Sequence, residues 1–268
     1  MVADLDPTRF LAELGACRLG RSFEHLSSCA STNDEVAVRA RAGAGEGLLI
    51  VADEQTSGRG RRGRVWHSPA GEDLTFSMLL RPALPARLAA PLTLLAGAAL
   101  ATSLSTLGFS PRLKWPNDVL LDTADGPRKL AGILTEMASE AGRVRHIVLG
   151  VGINVNAGFF PDALAGRATS LYLVRGERAQ RGEILAAFIK AFEPSYDDFV
   201  AHGPSAALTE WNRYAVLGQA CAVEREGRRI EGIAEAVDES GALLVKTATG
   251  DVFPVQAGEV NWLAIGSM

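Results

Sequence analysis

Seven consecutive residues, Gly58-Arg59-Gly60-Arg61-Arg62-Gly63-Arg64, hold three glycines and four arginines, and Trp66 follows two positions later. Glycine lets a backbone approach a ligand closely, and arginine carries a planar, permanent charge shaped for phosphates and carboxylates. The segment therefore has the composition of an anion clamp. Without its anion, four like charges with almost no apolar anchor do not offset the cost of ordering, so residues 58–65 are expected to stay mobile until a ligand supplies counter-charge. A solvated basic loop is the plainer alternative for an isolated Arg/Gly run. Gly58, Gly60 and Gly63 also satisfy G-x-G-x-x-G. Arg64 to Pro69 does not open a helix, however, and no acidic residue about twenty positions on closes a βαβ unit, which argues against a dinucleotide fold.

The surrounding pattern shows what must hold this loop. Ser31-Thr32-Asn33-Asp34-Glu35 offers cap residues and a Thr-x-x-Glu capping box for a helix ending near Gly43, so these side chains have a purely structural use as well. Leu48 to Ala52 is an apolar run of strand type that delivers the loop from the edge of a buried sheet, and the alternation from Leu74 to Leu80 predicts a second strand just after it. A helix runs from Pro91 to a stop at Gly108. In Arg112 to Leu121 the Pro116-Asn117-Asp118 turn interrupts a strand and re-aims its side chains. Lys129–Met137 and His146–Asn156 predict a hairpin about Gly142. Gly132, Gly150 and Gly152 lie inside its strands, which is tolerable where a ligand or another backbone comes close.

Leu185, Phe188, Ile189, Phe192 and Phe199 recur at helical spacing, and Pro194 is expected to kink or divide that helix. After Trp211 and Tyr214 the chain changes character. Residues 217–264 are short alternating segments punctuated by Glu226-Gly227, Ser240-Gly241 and Thr249-Gly250, the rhythm of a small antiparallel barrel. The expected division is residues 1–215 and residues 216–268.

At 268 residues and 47% hydrophobic, the chain can bury one substantial core and a small second module. Its net charge of −4 gives no global basic field for nucleic acid. Cys17, Cys29 and Cys221 are odd in number and widely spaced, which fits free thiols in a reducing compartment. Asp4, Asp6 and Pro7 stand where a signal peptide needs a basic region and an apolar run. The apolar region Leu84–Leu107 is broken by prolines and hydroxyl residues, as in a core helix and unlike a membrane span.

Taken together, Ser31-Thr32-Asn33, Gln55 with Gly58-Arg59-Gly60-Arg61-Arg62-Gly63, Lys114-Trp115-Pro116-Asn117-Asp118, Lys129-Leu130-Ala131-Gly132-Ile133-Leu134 and Gly150-Val151-Gly152-Ile153-Asn154 resemble the ordered motif set of biotin-protein ligases. The resemblance implies an α+β fold, a class II synthetase-like mixed or antiparallel sheet flanked by helices, followed by an SH3-like barrel. Some members carry an N-terminal DNA-binding domain, for which about 30 residues before Ser31 leave no room, so a ligase without repressor activity is expected.

The reaction implied has two steps: ATP, with Mg²⁺, activates biotin to biotinyl-5′-AMP, and a lysine of a biotin carboxyl carrier domain, as in acetyl-CoA carboxylase, then takes the acyl group. Joining two anions requires neutralisation and alignment. Lys129, Arg61 and Asp118 are the implied catalytic residues, with Lys129 between the biotin carboxylate and the α-phosphate. A strand-edge lysine facing water is the plain alternative. Asp118 is assigned to positioning, since a carboxylate is in general a poor base for an ammonium. Ser31, Thr32, Asn33, Gln55, Arg59, Gly60, Arg61, Lys129 and Gly132 are implied around biotin, with glycines 132, 150 and 152 leaving volume for its bicycle. Gly58, Arg59, Arg61, Arg62, Trp66, Lys114, Asn117 and Asn154 are implied around ATP or the adenylate, and no protein metal site is expected. The resemblance further implies a cytoplasmic enzyme with no nucleic-acid or membrane partner, and it leaves a homodimer open. Two other classes remain: a lipoate or octanoate ligase or transferase of the same fold, and a nucleic-acid module suggested by the arginines alone.

Overall fold

In a computed structural model of the chain, residues 4–225, 228–258 and 260–262 are described. Seven strands, β1 (Phe23–Leu26), β2 (Leu49–Ala52), β3 (Leu74–Leu80), β4 (Pro111–Lys114), β5 (Asp118–Thr123), β6 (Gly126–Glu140) and β7 (Arg143–Ile153), form one sheet in the order β1-β2-β3-β7-β6-β5-β4. β1 and β2 run parallel and the other neighbours antiparallel, so the sheet is mixed. The helices are α1 (Pro7–Leu14), α2 (Thr32–Arg41), α3 (Leu92–Thr106), α4 (Leu171–Arg175), α5 (Arg181–His202) and α6 (Ser205–Tyr214). Beyond them, β8 (Ala220–Arg225), β9 (Arg228–Val237), β10 (Leu243–Lys246), β11 (Val252–Val255) and β12 (Val260–Trp262) make an antiparallel sheet in the order β11-β10-β9-β8-β12. The architecture is α+β, as the sequence leads one to expect. The Glu226-Gly227 turn lies outside the described residues.

Period-two alternation sorts the large sheet into two faces. Leu49, Val51, Phe76, Met78 and Leu149 belong to a core that includes Leu95 and Leu100 of α3 and Phe188 and Phe192 of α5. Ile50, Leu79 and Val148 point the other way, against Val36 and Ala40 of α2. Helix α2 covers only part of that second face. Further along the same strands the side chains become Ser77, Gly150 and Gly152, and the face opens.

Helix α3 is apolar on every side, and its stretch Ala86–Thr106 is long and apolar enough to cross a membrane by length and composition alone. It is 72% buried in the fold, the condition of a core helix. Helix α5 runs unbroken through Pro194, so the expected division does not occur. Pro194 is exposed, which leaves the carbonyl freed by its missing N–H on the solvated side, while Phe188, Phe192 and Tyr196 stack on the buried side at 5.4 and 5.6 Å.

A buried charged tie joins α5 to the strand ends that lead to the arginine loop. Arg181, 6% exposed, donates to both oxygens of Asp4, to Asp53 Oδ1 at 2.8 Å and to the Asp73 carbonyl at 3.2 Å. Asp73 in turn accepts from Val155 N at 2.9 Å and Ala157 N at 3.3 Å, which fixes the chain leaving β7. Burial pushes the Asp73 carboxyl up to about 6 from an ordinary 3.8, against the opposing pull of the backbone N–H groups. Since the folded carboxyl binds its proton more tightly, its contribution to stability is complete below pH 4 and is lost as pH climbs through 6. Asp73→Asn keeps the acceptor and removes the charge. It should therefore gain stability over the parent as pH rises from 4 to 8, by up to about 3 kcal/mol at pH 8. Urea unfolding of both proteins at the two pH values checks this, and a gap that does not change with pH would contradict it.

Candidate active site

The open part of the second face is the floor of a cavity of about 720 Å³. All five sequence motifs reach its wall, although they span residues 31–154, because α2, the arginine loop, the β4–β5 turn, β6 and β7 converge on one end of the sheet.

The inner end is polar. Ser31 is the N-cap of α2 but makes no side-chain cap bond, and Glu35 pairs with Arg39 at 2.7 Å, so the predicted capping box is not formed. The side chains are used in the site instead. Gln55 Oε1 accepts from Thr32 N at 2.8 Å and from Thr32 Oγ1 at 3.1 Å, which leaves the Gln55 amide nitrogen as the end available to a ligand. Ser77, buried in the middle of β3, donates to Asn33 Oδ1 at 2.6 Å and lies 2.7 Å from Thr32 Oγ1. Asn33 Nδ2 donates to Glu136 at 2.5 Å. Sequence patterning missed Ser77 and Glu136; one trace was available, the two hydroxyl residues Thr75 and Ser77 in a strand otherwise apolar and buried throughout.

The floor glycines serve side chains of the protein. A Cβ on Gly150 would lie 2.2 Å from Asn33 Oδ1, and one on Gly152 would lie 2.4 Å from the Trp66 ring. The volume that glycines 132, 150 and 152 provide is thus taken in part by Asn33 and Trp66. Trp66 lies across Gly152 and Gly132, with Lys129 Nζ 5.6 Å from the ring centroid.

The arginine loop is a hairpin closed by Trp66 N to Gly58 O at 2.9 Å and Gly60 N to Arg64 O at 2.7 Å. Its turn puts Arg62 at φ 57° and Gly63 at φ 73°, where glycine carries no penalty. Arg59, Gly60, Arg61, Arg62 and Arg64 face the cavity. Gly58 does not; a Cβ there would meet the Trp66 carbonyl at 2.9 Å, so hairpin closure and not adenylate contact requires glycine. The expectation that the loop lacks counter-charge also needs correction. Arg59 grips Asp34 in a fork at 2.5 and 2.7 Å and stands 3.6 Å from Glu136. The Arg59 hydrogen bond holds the Asp34 carboxyl below the usual carboxylate range.

At the other end, Lys129 Nζ and Asp118 Oδ1 are 2.6 Å apart, both partly exposed to the cavity. Lys129 is pinned on both sides, by strand pairing to Leu120 and by backbone bonds to Arg167 and Thr169 at 2.9 Å each. A register shift between Val119 and Leu120 falls beside it, and such a bulge re-aims side chains. Lys114 pairs in register with Asp118 across the β4–β5 turn. Asn117 and Asn154 line the wall, but their amide nitrogens are engaged with the carbonyls of Ile133 at 2.8 Å and Thr169 at 3.0 Å. They hold the turn and the 167–171 segment, and each keeps its oxygen and one amide hydrogen outside these bonds. Gly258, Val260 and Trp262 complete the wall from the C-terminal sheet, and Trp115 Nε1 donates to the Gly241 carbonyl at 3.0 Å, fastening that sheet to the turn carrying Asp118.

A cavity with hydroxyl and amide groups at one end, a lysine at the other and arginines of one loop along its wall suits an acyl acid joined to a nucleotide, and known proteins agree. Residues 29–154 match the biotin/lipoate A/B protein ligase family and residues 216–261 the biotin protein ligase C terminal domain. The bifunctional ligase/repressor BirA of Bacillus subtilis is 39% identical over 229 residues, covering 84% of this chain and 68% of that protein. The biotin–[acetyl-CoA-carboxylase] ligase of Mycobacterium tuberculosis is 33% identical over 254 residues, 92% of this chain and 91% of the relative. The solved structure of the Aquifex aeolicus biotin protein ligase with biotin and ATP superposes with a TM-score of 0.77 at 28% identity, covering 91% of this chain and 99% of that one. With these likenesses extending across both sheets and every wall of the cavity, the chain belongs to the biotin-protein ligase family.

Proposed function

We propose that this chain joins biotin to ATP in the cavity and passes the biotinyl group to a lysine of a biotin carboxyl carrier domain. The observation that carries this is the polarity of the site: a hydroxyl and amide end built from Ser31, Thr32, Asn33 and Gln55, and cations supplied by Lys129 at the other end and by the arginine loop along the wall. Biotin's ureido ring meets the first and its carboxylate points to the second. In the first step a carboxylate oxygen attacks the α-phosphorus of ATP and the bond to the β-phosphate breaks, releasing pyrophosphate. Lys129, held by Asp118, lies between the two anions, and Arg61 and Arg62 face the nucleotide. Trp66 is the apolar face beside it, and Mg²⁺ arrives as the counter-ion of the triphosphate. In the second step the neutral ε-amine of the carrier lysine attacks the acyl carbon and AMP leaves. Asp118 acts by holding Lys129, as their 2.6 Å separation supports.

We assign residues 216–268 to a second module that closes the adenylate side, through Gly258, Val260 and Trp262. We also place the enzyme in the cytoplasm, in keeping with three free cysteines, and assign it no nucleic-acid partner, in keeping with the net charge of −4. ATP–pyrophosphate exchange tests the first step. It should require biotin, and lipoate in its place should give none; exchange with lipoate alone would favour the other branch of the fold.

Closure of the loop protects the acyl-adenylate from water. Trypsin cleavage after Arg59, Arg61, Arg62 and Arg64 should slow at least about tenfold once biotin and ATP are bound, because a closed loop opens less often. Equal cleavage with and without ligands would contradict ligand-coupled closure.

A further inference from the structure

Glu136 belongs to none of the five motifs, yet its carboxylate touches both halves of the site. On β6 the residues alternate: Ile133 packs in the core and Thr135 bonds Thr93 of α3 at 2.7 Å, while Gly132 and Leu134 face the cavity, and Glu136 continues their row. There its Oε2 accepts from Asn33 Nδ2 at 2.5 Å and its Oε1 stands 3.6 Å from Arg59 Nη2. Asn33 is 5% exposed and packs where a Gly150 Cβ would be, so its amide has no room to seek another partner.

A carboxylate only accepts, and it therefore dictates which end of the Asn33 amide it meets. With Nδ2 committed to Glu136, Oδ1 must face Ser77, and the Ser77 proton is drawn to it. Ser77 Oγ is the donor toward both Asn33 Oδ1 and Thr32 Oγ1, and the Thr32 hydroxyl donates onward to Gln55 Oε1, which turns the Gln55 amide nitrogen to the cavity. One charged group thus sets the donor and acceptor sense of a buried chain of four side chains. The same group draws Arg59, whose guanidinium is otherwise gripped by Asp34.

We propose that Glu136 is a positioning residue that couples the ureido end of the pocket to the arginine loop: it orients Asn33, Ser77 and Thr32 for the ligand and, with Asp34, anchors Arg59 over them. This rests on biotin being the ligand of that end. Glu136→Gln retains size and, with its side chain 45% exposed, the fold, but it can turn a donor toward Asn33 and has no charge for Arg59. Loss of one charge-assisted hydrogen bond should weaken biotin binding about tenfold to a hundredfold, measured by calorimetry without ATP, and should speed trypsin cleavage after Arg59. The melting temperature should stay within about 2 °C of the parent, as for a substitution of a partly exposed residue away from the core. Asp34→Asn removes only the Arg59 contact, and should speed the same cleavage while shifting biotin affinity less than Glu136→Gln does. Glu136→Asp, which keeps the carboxylate, should recover part of the affinity. Parent protein that fails to bind biotin would refute the assignment of the ligand. Parent protein that binds, with Glu136→Gln binding within twofold of it, would refute the role given to Glu136.

Discussion

Lys129→Ala should cut biotin-dependent pyrophosphate release by about 10³-fold while leaving the protein folded. The size follows from what the substitution removes. Lys129 is fixed by strand pairing on one side and by two backbone bonds on the other, and lines a cavity where a carboxylate and a triphosphate must come together, so its ammonium is preorganised where negative charge accumulates. Truncation also leaves Asp118 facing the incoming anions without the partner now 2.6 Å away, which turns an attractive wall into a repulsive one. Arginine should restore little, because its planar fork does not fill the place of a compact ammonium. Biotin-stimulated pyrophosphate release is the measurement, with circular dichroism as the check on folding. Release within tenfold of the parent would remove Lys129 from the role assigned to it.

Gly150→Ala should weaken biotin binding by about 10²-fold, from one added methyl group. Its Cβ would lie 2.2 Å from Asn33 Oδ1 and 3.0 Å from Asn33 Cγ, and Asn33 is held at both ends, by Ser77 and by Glu136. Relief requires moving Asn33, which breaks one or both bonds and carries the hydroxyl chain with it. Overpacking of this kind costs about 1–3 kcal/mol of stability as well. Gly45→Ala is the control, since a Cβ there meets nothing within 4 Å and neither stability nor affinity should change. Calorimetric titration with biotin separates the two variants, and a Gly150→Ala protein binding like the parent would show that the Asn33 position is unimportant for the ligand.

Much of this site was legible in the sequence because local rules wrote it there. The glycine-arginine loop, the Pro116-Asn117-Asp118 turn and the glycine-dense hairpin each depart from what a strand or helix needs, and the structure brings all of them to one cavity. The strands on either side of the loop followed from apolar runs and alternation, and α5 from its helical spacing.

What was hidden depends on contacts between residues far apart in the chain. Asn33 meets Glu136 across 103 positions and Arg59 meets Asp34 across 25, so a loop that looked short of counter-charge in isolation is anchored by acids elsewhere. Capping chemistry misled for a related reason: Thr32 and Glu35 fit a local motif, but Gln55 and Arg39 compete for them and prevail. Asn117 and Asn154 were recognisable as site residues, yet nothing local showed that their amide nitrogens hold carbonyls. The tie through Arg181 joins Asp4, Asp53 and Asp73 from three separate segments and likewise has no signature along the chain.

Incubation of the purified protein with biotin, MgATP and a biotin carboxyl carrier domain, followed by intact mass measurement of the carrier, tests the central claim most directly. The carrier should gain the mass of one biotinyl group at a single lysine, only when ATP is present, and Lys129→Ala should abolish the gain on the same timescale. A carrier whose mass is unchanged, in the presence of folded protein that binds biotin, would contradict the account.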